Sequence, residues 1–210
     1  MRKTNAFLIL TIIAIMIGSV VLFLDNSQSL VDHYHMHDND LHGAQIHANH
    51  IKYESVEELM DNVELVIIVN YFGKSENVAV QQENENEHAL PIVMGYTISE
   101  VRINKVIKAN ESKDHKEKEL INIVEPNFYI EENGNKTEYT WEGYTNLEDN
   151  GRCVLFLNWS EDKQLYEVHS LYHGKINIDG KDKAEEALAH HNPQFDKLRK
   201  EAMGLFKNSN

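Results

Sequence analysis

The residues most able to do chemistry in this chain are its histidines. Six fall within 18 residues: His33, His35, His37, His42, His47 and His50. Imidazole nitrogen suits Zn²⁺, Cu²⁺ and Ni²⁺, and Asp32, Asp38 and Asp40 add carboxylates to the same stretch. His33, His35 and His37 alternate, so in an extended chain they share one side. Weak binding of Zn, Cu or Ni by His33, His35, His37 and His42 is the expectation, with a polar spacer as the bland alternative. No H-E-x-x-H or C-x-x-C motif is present, so a catalytic metal is not indicated and no cofactor is expected.

Other reactive groups give less. His169 and His173 flank an expected hairpin near Tyr166 and Tyr172 and read as surface residues. His190 and His191 end an expected helix, where positive character is locally favourable. Cys153, the only cysteine, sits in the apolar run CVLFLNW and reads as a buried hydrophobe. No internal disulfide is possible with one thiol. The serines lack a G-x-S-x-G elbow, and there is no P-loop or dinucleotide fingerprint. N-x-S/T matches occur at Asn135 and Asn158, the second overlapping an expected strand end.

Charge narrows the partners. The formal net charge is −14, from 20 basic and 34 acidic residues. Such a surface repels nucleic acid and leaves an envelope protein or a basic ligand as the partner it favours.

The elements that would carry these residues begin with a membrane segment. Residues 6–24 read AFLILTIIAIMIGSVVLFL without a charge, and as a helix they span roughly 28 Å. Arg2 and Lys3 precede the run and Asp25 follows it. Positive charge stays cytoplasmic, so the expectation is a single-pass anchor in contact with the bilayer, with the C-terminal bulk outside. Secretion after signal cleavage is the alternative, with Ser27 and Ser29 as a poor cleavage site.

The expected organisation is a cytoplasmic tail at 1–5, the anchor at 6–24, a His/Asp-rich linker at 25–50, an extracytoplasmic β domain at 51–180 and a helical segment at 181–210. Ser55 to Glu58 is a capping box opening a short helix. Val63 to Phe72 is β-branched and aromatic, a strand covered on both faces. Residues 74–89 read as an exposed acidic loop. In Tyr96 to Ile107 the apolar phase changes across Glu100 and again before Val106, which implies a bulged or coiled strand. Further strands are expected at 119–131, 137–144, 152–159 and 165–178, with a turn at Asn133–Gly134. Asp182 with Glu185, and Asn192 with Pro193, open two C-terminal amphipathic helices. Phe195, Leu198, Ala202, Leu205 and Phe206 form the stripe of the second. The expected fold class is mainly β: a small curved antiparallel barrel, OB-like, or a sandwich.

The stretch SVEELMDNVELVIIVNYFGK, the Y-T strand at Tyr96 to Ile107, the apolar strand Val154 to Leu157 and the segment Gly174 to Gly180 together resemble a diffuse group of bacterial exported proteins. The resemblance spans about residues 54–180. It implies export and a compact β-barrel-like domain. The chain departs from the pattern at Asn70, where that group has Gly, and no functional residue carries over. The expected function is a non-enzymatic extracytoplasmic binding or envelope-assembly domain. The alternatives are an envelope hydrolase using dispersed acids or His169 and His173, and a weak metal-binding or pH-sensing surface protein.

Overall fold

The computed structural model describes residues 31–32, 42–82, 92–110 and 114–209. Among them the strands are β1 (Val31–Asp32), β2 (His42–Ile46), β3 (Leu65–Gln82), β4 (Ile92–Ala109), β5 (Leu120–Glu125), β6 (Asn127–Glu132), β7 (Asn135–Trp141), β8 (Arg152–Ser160), β9 (Leu165–Val168) and β10 (Lys175–Asn177). The helices are α1 (Val56–Asp61), α2 (Lys183–His191) and α3 (Pro193–Phe206), with a 3-10 turn at Leu171–Gly174. Part of the expected linker is thus the strand β2.

Local chemistry places the helices where the sequence puts them. The Ser55 side chain accepts from the Glu58 N–H, Asp182 from Glu185 N–H, and Asn192 from Phe195 N–H, with Pro193 at the first turn of α3. In α3 the stripe Phe195, Leu198, Ala202 and Phe206 is buried, whereas Leu205 is exposed.

The main sheet runs β10-β8-β3-β4-β5-β9. Alternation along β3 feeds two cores. Val66 and Ile68 join Val154, Phe156, Ile176 and the helical residues Leu59, Phe195 and Leu198. Leu65, Ile67 and Val69 join Leu155, Leu157, Val101, Ile103 and Ile123 on the other face. Both faces of β3 are therefore covered. The phase changes read in Tyr96 to Ile107 are register shifts of the β3–β4 pair, between Val66 and Ile67, Ile68 and Val69, and Tyr71 and Ser75.

The expected mainly β antiparallel barrel or sandwich is corrected to a mixed α/β fold. The main sheet is mixed, because β5 and β9 run parallel. It curls so that β9 also bonds β8, and β9 and β10 lie along β8 at different points. The three helices contribute buried residues to one core on one face of it. A second sheet carries β2-β7-β6, with β2 parallel to β7. Parallel neighbours are joined by contacts remote in sequence, which strand periodicity cannot register.

Residues 74–82, expected as loop, continue β3 in register from Ser75↔Ser99 to Gln82↔Ile92. Their polar sequence is overridden by pairing with an apolar strand. The expected span at 6–24 lies outside the described residues. Among the described residues no helix is long and apolar enough to cross a membrane. The longest, α3, has 14 residues and a polar face, against the roughly 20 apolar residues a span requires. The expected transmembrane anchor, its bilayer contact and the single-pass outward location are corrected to that extent: no described helix carries them.

Candidate functional site

The outer halves of β3 and β4 form an arm whose two faces differ. Val78 pairs with Tyr96 and Val80 with Met94, so these four share one face. The opposite face is pinned to the second sheet. Asn77 and Tyr129 exchange two bonds, Asn77 Nδ2 donating to Tyr129 O at 2.9 Å and Tyr129 N–H donating to Asn77 Oδ1 at 2.7 Å. Thr97 Oγ1 donates to Asn127 O at 2.8 Å. Gly95 lets the arm lie on Phe128, since a Cβ there would stand 2.6 Å from Phe128 Cγ and from Val78 O. Phe128 in turn stacks on Tyr139 with centroids 5.1 Å apart.

Held in this way, the arm forms one wall of a groove of about 570 Å³. Val124, Pro126 and Trp141 line its floor, and Val168 and Leu171 the far wall. Val80 and Met94 are 61% and 60% exposed, an apolar surface without cover among the described residues. The only charged lining residues are Lys163 and Glu167. Lys163 Nζ lies 2.5 Å from Glu167 Oε1 and 5.2 Å from the Tyr96 ring centre. The volume is that of ordinary ligand sites, and the lining is what binds apolar matter with one polar fixing point.

The far wall belongs to the turn that holds His169 and His173. His173 is buried and His169 half-buried, and both bond Tyr53 instead of standing free on the surface. Tyr53 N–H donates to His173 Nδ1 at 3.2 Å, and Tyr53 Oη lies 2.7 Å from His169 Nε2. His173 is fully buried, and burial pushes its pKa down to about 4, helped by His50 and Lys52. Burial lowers that of His169 as well, and raises the Tyr53 phenol together with Glu58.

A second polar cluster has a buried centre. The Lys175 ammonium contacts Asp182, lies 3.4 Å from Glu185 Oε2 and donates to Thr145 Oγ1 at 2.7 Å. Burial depresses the Lys175 pKa, but Glu185 and Asp182 outweigh it and the net shift is upward. Burial raises the Glu185 carboxyl against the opposing effect of Lys175. Glu125 is raised chiefly by burial, and accepts from Ser99 Oγ, from Tyr144 Oη at 2.8 Å and from Leu147 N–H at 3.0 Å. With Lys175, Asp182, Glu185 and Glu125 each at most 2% exposed, this cluster ties the sheet to α2. Cys153 beside it is buried, which raises its thiol pKa and keeps it inert.

Of the expected metal ligands, His33, His35 and His37 lie outside the described residues, and His42 opens β2 opposite Thr137. His47 Nδ1 sits 3.3 Å from Glu142 Oε2. His50 packs edge-on against Tyr172 and His173. Among the described residues no group of three or more His, Cys, Asp or Glu is placed to hold a metal ion. His190 and His191 pair with each other at the end of α2.

The groove residues escaped sequence reading because Val78 and Val80 stand between polar neighbours. Their i, i+2 spacing in NVAVQ was the available signal. No family model matches the chain, and no curated protein or solved structure matches it.

Proposed function

We propose that the protein is a non-enzymatic binding domain that takes an extended, mainly apolar ligand in the groove between the β3–β4 arm and the turn after β9. The observation that carries this reading is the groove itself: a preformed space of about 570 Å³ with apolar walls and one ion pair, Lys163–Glu167. Val80 and Met94 supply the contact surface, and the ion pair fixes the orientation of whatever polar end the ligand has. Burying each of these side chains more completely is worth up to about 1.5–3 kcal/mol, so the two together govern affinity.

The test is titration of the chain with a fluorescent acyl probe, followed by probe emission and by quenching of Trp141. Replacing Val80 and Met94 with aspartate is expected to weaken binding by about 10-fold or more, since 1.4 kcal/mol is tenfold. Both positions are exposed, so the melting temperature stays near that of the parent. Equal probe affinity in the parent and the double variant would refute the assignment of the groove.

A further inference from the structure

Residues 50–53 form a strap lying across the turn 168–174. Ser170 Oγ donates to Ile51 O, Tyr53 N–H donates to His173 Nδ1 at 3.2 Å, and Tyr53 Oη meets His169 Nε2 at 2.7 Å. The ring of His50 packs edge-on against Tyr172 at 5.0 Å and His173 at 5.7 Å. The turn beneath is held in an unusual state: Ser170 and Leu171, neither a glycine, have φ of 54° and 55°. Two successive left-handed residues persist only where surrounding contacts impose them.

The bonds determine where the imidazole protons lie. A ring nitrogen that accepts from a backbone N–H carries no proton, so neutral His173 is protonated at Nε2. For His169 the argument runs through Asn158. Its Oδ1 accepts the Glu64 N–H at 2.9 Å, which orients the amide and makes Nδ2 the donor to His169 Nδ1 at 3.1 Å. His169 therefore carries its proton on Nε2 and donates it to Tyr53 Oη. Each histidine holds the strap, directly or through Tyr53, only while its Nδ1 keeps a lone pair. Adding a proton to either Nδ1 would set an N–H against another donor, Tyr53 N–H in one case and the Asn158 amide in the other.

We propose that His173 and His169 form an acid-opened latch, which releases the strap 50–53 from the turn 168–174 when their Nδ1 atoms are protonated. Burial and the charges of His50 and Lys52, both from the strap, oppose a proton on His173 within the closed state. Around its ring Tyr53 presents its N–H, His50 and Tyr172 pack edge-on, and Phe195 of α3 stacks at 5.9 Å. Two acids act nearby, Glu58 of α1 on Tyr53 and Glu142 on Tyr172, where Glu142 also accepts the Ala48 N–H at 3.2 Å; neither is among the charges acting on His173. Among the described residues His173 Nε2 and His50 Nε2 are buried without a hydrogen-bond partner, so no carboxylate steadies an imidazolium from that side. Opening exposes the rings to water, where imidazole regains its ordinary affinity for protons. Acid therefore favours opening progressively below the usual histidine range and leaves the latch undisturbed above it. Val168 and Leu171 belong to the same turn and line the groove, but the latch is defined without reference to any ligand.

The experiment is amide hydrogen exchange at Tyr53 in the full-length chain, corrected for the pH dependence of chemical exchange. With His173 near 4 when closed and near 6.5 when open, linkage predicts that protection falls about 30-fold between pH 7.5 and pH 5. In His173→Asn the side-chain oxygen still accepts the Tyr53 N–H but cannot titrate, so most of that fall disappears. Nitrogen-15 spectra of the parent give a second readout independent of any variant. They are expected to show the Nε2-protonated tautomer of His173 at neutral pH, and a Tyr53 amide resonance that moves with its titration. Unchanged Tyr53 protection down to pH 5, the same fall in His173→Asn, or the opposite tautomer would each overturn the latch.

Discussion

Replacing Lys175 by methionine removes the ammonium shared by two buried carboxylates, Asp182 and Glu185. Lys175, Asp182 and Glu185 are each at most 2% exposed. Asp182 would keep the Glu185 N–H at 2.8 Å and Thr145 Oγ1 at 3.2 Å. Glu185 would keep Arg199 Nε at 3.0 Å and the Asn177 N–H. Arg199 still pairs with Glu185, but among the described residues no other cation pairs with Asp182, and breaking a buried pair by deleting one partner costs about 3–5 kcal/mol. For a domain of this size that lowers the melting temperature by about 10 °C. The measurement is urea unfolding followed by circular dichroism, repeated from pH 8 to pH 5. Without the ammonium that lowers its pKa, the buried Glu185 carboxyl binds a proton more readily folded than unfolded. A folded pKa raised above the unfolded value contributes stability that is present at low pH and lost as pH rises through it. The deficit of Lys175→Met is therefore greatest at pH 8 and shrinks toward pH 5. Adding Asp182→Asn and Glu185→Gln to the same chain is expected to restore part of the loss. A single variant within about 1 kcal/mol of the parent, with no pH trend, would refute the claim that this cluster is desolvated and mutually neutralising.

Other outcomes follow from the same geometry. Gly95→Ala places a methyl 2.6 Å from Phe128 Cγ and from a backbone oxygen, and overpacking of this kind costs about 1–3 kcal/mol, readable as a lower urea midpoint. Acid weakens the parent through His173: its folded pKa lies below 6.5, so the unfolded chain takes up the proton first and stability falls from about pH 6.5 to about pH 4. The interval is worth about 3 kcal/mol in equilibrium unfolding, and His173→Asn is expected to flatten that slope. Ser55→Ala deletes the N-cap of α1 and is expected to cost about 1 kcal/mol, with Ser55→Gly costing less. Cys153 is expected to resist a thiol reagent in the native chain and to react at the rate of unfolding, so rapid native labelling would contradict its burial.

Several features were legible in the residues alone because their causes are local. Capping chemistry at Ser55, Asp182 and Asn192 marks helix starts wherever it occurs, and all three caps form. The apolar run from Leu65 to Val69 required cover on both faces and has it. The slipped phase across Glu100 required irregular pairing, and the register of β3 with β4 shifts there. What tertiary structure alone decided involves partners far apart in the chain. Val78 and Val80 read as loop until Tyr96 and Met94 pair with them. The parallel union of β5 with β9 joins Ile123 to Tyr166, and no periodicity within either strand reports it. His173 looked like a surface residue because burial of an imidazole depends on what folds over it, here Tyr53, 120 residues earlier. Lys175 in KINID gave the least warning. Its burial depends on Asp182 and Glu185 arriving from α2, and a charge is buried only when the whole fold supplies its counter-charges.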